Sequence, residues 1–71
     1  MEEIRAPMAG NIWKVECEEG EAIAFDDVVL VMEAMKMEAE VYASSAGTVA
    51  SINVQEGQAV AEGDLLLTIQ S

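Results

Sequence analysis

Residues 28–42 read Val28-Val29-Leu30-Val31-Met32-Glu33-Ala34-Met35-Lys36-Met37-Glu38-Ala39-Glu40-Val41-Tyr42. Two apolar-rich runs, 28–35 and 37–42, meet at a single lysine, and no helical stripe persists through either. Side chains along a strand point alternately to opposite faces. In the first run Val28, Leu30 and Met32 share one face. In the second, Met37, Ala39 and Val41 form the inward set, and Glu38, Glu40 and Tyr42 point outward. The connection between the runs is too short for anything but a tight hairpin, which leaves Lys36 standing clear of the sheet.

Working outward, further strands are predicted at Glu3–Ala6, Asn11–Cys17, Thr48–Val54 and Leu65–Ile69, with shorter ones at Ala22–Ile23 and Ala59–Val60. Turn signals separate them: Pro7 to Gly10, Glu19-Gly20, Asp26-Asp27, Ser44 to Gly47, Glu56-Gly57 and Glu62-Gly63-Asp64. Short strands with close turns imply a sandwich or barrel.

The sequence repeats itself. A shift of 37 positions lays residues 9–33 on 46–70 without a gap, and eight of the 25 pairs are identical. These include Glu19/Glu56, Gly20/Gly57, Ala24/Ala61, Asp27/Asp64 and Leu30/Leu67. Conservative pairs include Ile12/Val49, Val15/Ile52, Ile23/Val60 and Met32/Ile69. A repeat seen only twice implies two intertwined halves, since a solenoid needs at least three units. It also assigns faces. Val28, Leu30 and Met32 match Leu65, Leu67 and Ile69, an apolar face; Val31 matches Thr68 and Glu33 matches Gln70, a face that tolerates polar groups. Val15, Cys17, Ile52 and Val54 complete the expected core. Gly20 and Gly57 stand at equivalent turns, where a positive φ would penalise a Cβ.

A chain of 71 residues is one domain, 1–71, of modest stability. Fourteen acidic residues against three basic ones give a net charge of −11. Such a surface repels nucleic acid and anionic lipid and favours basic patches on protein partners. No stretch approaches the ~20 apolar residues of a membrane span. The acidic start lacks the features of a signal peptide, so a cytoplasmic location is expected. Cys17, the only cysteine, reads as a small buried hydrophobe in a reducing compartment. There is no histidine, which removes Ser-His-Asp and Cys-His catalysis and the usual transition-metal ligands. The carboxylates fall in solvated runs on a fold too small for a cleft. The chain is therefore expected to have no catalytic residues and no metal site.

What remains is Lys36. It lies between the two repeats and has no counterpart in either. An amine intended for acylation by another enzyme must be reachable, and a hairpin apex is the most reachable place on such a fold. Met35 and Met37 flank it; methionine is soft and adapts to partner surfaces. Met35 is expected to contact a partner, and Met37 to pack over the end of the core. Lys14, the other lysine, lies mid-strand and reads as a solvated surface charge.

The segment Glu33-Ala34-Met35-Lys36-Met37-Glu38 closely resembles the attachment motif of biotin carboxyl carrier domains, whose core is Met-Lys-Met. Ala6-Pro7-Met8-Ala9-Gly10, Glu19-Gly20 and Glu62-Gly63-Asp64-Leu65-Leu66 also match that family, so the resemblance covers nearly the whole chain. Asn11-Ile12-Trp13-Lys14-Val15 looks most like the short biotin/lipoyl attachment proteins. No room exists between Gly20 and Val28 for the inserted thumb of many bacterial acetyl-CoA carboxylase carriers, so the chain is most similar to thumbless carriers.

The resemblance implies an all-β fold: a flattened barrel or sandwich of two four-stranded antiparallel sheets related by a pseudo-twofold axis. It implies Lys36 on a hairpin opposite the termini, covalently biotinylated by biotin protein ligase, with Met35 and Met37 as the flanks that ligase recognises. It further implies a non-catalytic carrier that takes carboxybiotin between a biotin carboxylase and a carboxyltransferase. Lipoate is the alternative cargo, alone or with biotin in dual attachment, although lipoyl domains usually carry Asp-Lys-Ala where this chain has Met-Lys-Met. An unmodified adaptor barrel is a further alternative, but such relatives generally lack the hairpin lysine.

Overall fold

The computed structural model describes residues 1–71. Eight strands follow one another: β1 (Glu2–Arg5), β2 (Gly10–Val15), β3 (Ala22–Ile23), β4 (Val28–Ala34), β5 (Met37–Tyr42), β6 (Gly47–Ile52), β7 (Ala59–Val60) and β8 (Leu65–Gln70). They form two four-stranded antiparallel sheets, β1-β8-β6-β3 and β5-β4-β2-β7, which do not close into a barrel. The expected flattened sandwich is therefore observed, and every expected strand is present within two residues of its expected ends.

The twofold repeat is carried into the pairing. Ile4 faces Leu67 in the first sheet, and Val41 faces Leu30 in the second. The same shift of 37 thus also relates β1 to β5, which the sequence match did not reveal. The halves are intertwined, because β3 of the first repeat pairs with β6 of the second, and β7 pairs back onto β2. The identical residues hold this exchange together. Gly20 N–H donates to Val49 O and Gly57 N–H to Ile12 O. The Glu19 carboxylate accepts from Ile52 N–H, and the Glu56 carboxylate accepts from Val15 N–H, each at 3.0 Å. Asp27 and Asp64 each accept from a backbone N–H three residues earlier, at Ala24 and Ala61, closing equivalent turns. Gly20 and Gly57 have φ of +88° and +89° with open space around them, so backbone conformation alone selects glycine.

The core repeats too. The eight largest fully buried side chains fall into four pairs under the same shift: Ile12/Val49, Val29/Leu66, Leu30/Leu67 and Met32/Ile69. Burying each contributes ~1.5–3 kcal/mol of transfer free energy. Val29 and Leu66 were not expected inside. Strict alternation pointed them outward and placed Val28 and Leu65 inward, whereas the latter two are only half-buried. The cause is a β-bulge at each site. Register shifts leave Val29 as the extra residue against β5, and Leu66 as the extra residue against β1. A bulge resets the phase of alternation, so one more side chain reaches the core. Equivalent shifts leave Trp13 extra on β2 and Ala50 extra on β6. Cys17 and Val54 are buried as expected, while Val15 and Ile52 are half-buried against the same cluster. Ala39 is half-buried and Val41 buried, but Met37 is 69% exposed and is not part of the inward set. It lies at the last pair of the hairpin, past the end of the core.

Candidate functional site

β4 and β5 are paired from Val28–Tyr42 to Ala34–Met37. Only Met35 and Lys36 lie outside the ladder, so the connection is a two-residue hairpin loop. Both residues have positive φ, 51° at Met35 and 67° at Lys36. Two positive φ angles in a two-residue loop identify a type I′ turn, the form whose twist matches that of the flanking strands. Such turns favour Asn-Gly, because a side chain in the left-handed region costs roughly 1–2 kcal/mol per residue. Here neither residue is Asn or Gly. The long ladder and the fully buried Val29, Leu30 and Met32 of β4 hold the turn in place. This conformation was implied by the hairpin's length, but the residue types gave no local cue to it.

The turn sets out its side chains in the open. Met35 is 94% exposed, Met37 is exposed, and Lys36 is exposed and forms no ion pair or side-chain hydrogen bond. Glu33 and Glu38 face each other one pair below the turn, without a cation partner. No cleft or cavity lies at the turn or anywhere else in the fold. Lys14 is also exposed but differs in setting. It is mid-strand, 3.7 Å from a Glu16 carboxylate oxygen, and its ammonium lies 6.0 Å from the centre of the Trp13 ring. The structure thus brings Met35, Lys36 and Met37 together on one projecting turn and leaves Lys14 apart.

Two groups away from the turn have displaced acidities. Burial, with the nearby charge of Glu21, pushes the Cys17 thiol up, which suits a packed side chain and not a nucleophile. The Tyr42 hydroxyl donates a 2.7 Å hydrogen bond to Glu40; that bond and the Glu40 charge hold its pKa above the ordinary tyrosine value.

An exposed amine with no pocket around it suits a covalently tethered group that must move, and does not suit a group bound by enclosure. Lys36 is the residue that could hold such a group.

Known proteins agree with this geometry. A biotin/lipoyl family model, described as Biotin-requiring enzyme, matches residues 2–69. A protein of Emericella nidulans described as a urea carboxylase is 50% identical over 40 residues, which is 56% of this chain and 3% of that protein. Among solved structures, the urea carboxylase of Kluyveromyces lactis superposes with a TM-score of 0.91 at 33% identity, covering 97% of this chain and 6% of that one. A single-chain, multi-domain long-chain acyl-CoA carboxylase gives 0.88 at 35% identity, covering 93% and 6%. The lipoyl domain of the 2-oxoglutarate dehydrogenase complex of Azotobacter vinelandii gives 0.85 at 28% identity and covers 100% of this chain and 98% of its own. The chain thus spans only a few per cent of the carboxylases it matches. With a family match across almost its whole length, this chain belongs to the biotin/lipoyl attachment family of biotin-requiring enzymes.

Proposed function

We propose that the chain is a biotin carboxyl carrier in which Lys36 is the attachment residue. The observation that carries this reading is the projecting type I′ turn, which presents Lys36 free of any partner between Met35 and Met37. In the attachment step the Lys36 ammonium gives up a proton to a base of the ligase. The freed Nζ lone pair attacks the activated carboxyl carbon of biotin, the bond to the activating group breaks and that group leaves, and Nζ gives up a second proton to leave an amide. Met35 and Met37 give the ligase a soft apolar surface on either side of the amine. Once joined, biotin supplies a nitrogen that takes up and gives up a carboxyl group. The domain itself contributes tethering: an attached group visits a biotin carboxylase and a carboxyltransferase at an effective concentration no free cofactor reaches. The three carboxylase relatives support these partners. Cys17, unpaired and buried, is compatible with a cytoplasmic location.

Lipoate attachment is the second reading, favoured by the likeness to the Azotobacter lipoyl domain over its full length. The Met-Lys-Met flanks favour biotin. Intact mass after incubation with biotin protein ligase, biotin and ATP, and separately with lipoate ligase, lipoate and ATP, decides between them. One biotinyl group and no lipoyl group is the expected result. Efficient lipoylation without biotinylation would overturn the assignment.

A further inference from the structure

The chain's sulfur atoms lie in five methionines and one cysteine, and the fold sorts them by access to solvent. Met32 is fully buried and Met8 is half-buried against the core. Cys17 is buried, and its thiol is held toward the protonated form that oxidants attack slowly. Three methionines are open: Met1 at 77%, Met35 at 94% and Met37 at 69% exposure. Met1 lies away from the turn. Its neighbour Glu2 accepts a hydrogen bond from Ser44, beyond the Val28–Tyr42 pair at the far end of the β4–β5 ladder. The other two flank Lys36 directly, and the fold requires a thioether at neither position. Met35 has a φ of 51°, a conformation that favours glycine or asparagine, and Met37 lies outside the core cluster. Leucine would offer a partner an apolar surface at either place. Methionine adds a sulfur that a mild oxidant converts from apolar to polar.

We propose that Met35 and Met37 are a modification site for two-electron oxidants of the peroxide class, and that their conversion to sulfoxides slows acylation of Lys36. The inference rests on Lys36 being the acylated residue and on its flanks facing the ligase. In the oxidation step a sulfur lone pair attacks one oxygen of hydrogen peroxide and the O–O bond breaks. The departing hydroxide takes the proton from the sulfur-bound oxygen and leaves as water. Sulfur is oxidised by two electrons and the peroxide is reduced by two. Hydrogen peroxide is uncharged, so neither the chain's charge of −11 nor Glu33 and Glu38 beside the turn repels it. The new oxygen is a hydrogen-bond acceptor, and a surface that fits a thioether buries it without a partner. The ligase therefore docks more weakly, while the amine itself is unaltered. Methionine sulfoxide reductases return the thioether, which makes the change reversible.

The test treats the folded chain with hydrogen peroxide, removes the peroxide and locates sulfoxides by tryptic peptide mapping. Cleavage after Arg5, Lys14 and Lys36 puts Met1, Met8 and Met37 in separate peptides and Met32 with Met35, a pair that fragmentation resolves. Met35 and Met37 should oxidise alongside Met1, Met8 should lag, and Met32 should stay intact until denaturant is added. With folding verified by circular dichroism, the oxidised chain should show a ligase KM raised about fivefold or more with kcat unchanged. Methionine sulfoxide reductases A and B should restore the original KM. Met35→Leu/Met37→Leu, compared only with itself before and after peroxide, should show no comparable rise, although its Met1 and Met8 remain oxidisable. Unchanged kinetics on a chain oxidised at both positions would overturn the inference, as would a loss that the reductases repair chemically without restoring KM, or an equal rise in the leucine variant. A chain that takes no biotin even before oxidation would instead overturn the Lys36 reading, and the switch with it.

Discussion

Replacing Lys36 with glycine should stabilise the domain, which is an unusual expectation for a residue assigned the central role. Lys36 has φ of 67° in a turn that glycine adopts without steric cost. The left-handed conformation costs an L-residue roughly 1–2 kcal/mol. Against this, glycine loses more backbone freedom on folding, by roughly 0.5–1 kcal/mol. The net gain for Lys36→Gly is therefore about 0–1.5 kcal/mol, centred near 0.75 kcal/mol. For a domain of this size, about 1 kcal/mol moves the melting temperature by roughly 4–8 °C, so a rise of about 3–6 °C is the central expectation. Lys36→Ala separates backbone strain from loss of the side chain. It keeps a Cβ in the same conformation and should stay within about 0.5 kcal/mol of wild type. The assay is urea and thermal unfolding followed by far-ultraviolet circular dichroism on unmodified protein. If Lys36→Gly proves no more stable than Lys36→Ala, the turn carries no strain, and the claim that its conformation is held for display of the amine fails.

Other substitutions probe the core and the bulges. At Gly47 a Cβ would meet Gln70 O at 2.5 Å and Ile69 Cγ2 at 2.8 Å, so Gly47→Ala should lower stability by about 1–3 kcal/mol in urea titrations. Leu66→Ala should cost about 2–5 kcal/mol, whereas Leu65→Ala, half-buried at the neighbouring position, should cost clearly less; the order reverses if strict alternation, and not the bulge, describes β8. Cys17 should resist thiol reagents in the folded protein and react on addition of denaturant. Its thiol is held above the ordinary value of 9.0 by burial, so the unfolded chain ionises first as pH rises. The associated stability is complete below about pH 9 and declines as pH climbs toward the folded value, a decline that Cys17→Ala should lessen in unfolding measured from pH 8 to 11.

Much of the fold could be read from the repeat, because Leu30/Leu67 and Met32/Ile69 mark one inner face twice and so outvote local ambiguity. The turn glycines were equally legible, since Gly20 and Gly57 follow acidic residues at matched positions. Where reading failed, one physical cause recurs. A bulge is a property of pairing between distant strands, so nothing local at Val29 or Leu66 announces it, and alternation carried through the bulge pointed both outward. Met37 was misread for a related reason: alternation does not reveal where the core stops. At the turn, the spacing of two strands around Met35 and Lys36 was decisive, whereas the residue types were not. A turn-former such as Asn-Gly would have been easier to recognise but would have left no amine to modify. The outer face of β4 and β5 was legible in direction, with Glu38, Glu40 and Tyr42 outward.

Only three amines compete for acylation in this chain: Lys14, Lys36 and the N-terminus. Fragmentation mass spectrometry of the ligase-treated protein assigns the label to one of them. The account predicts a single biotinyl group, wholly on Lys36, and none after Lys36→Arg; a label on Lys14, or one that persists in the arginine variant, would contradict it.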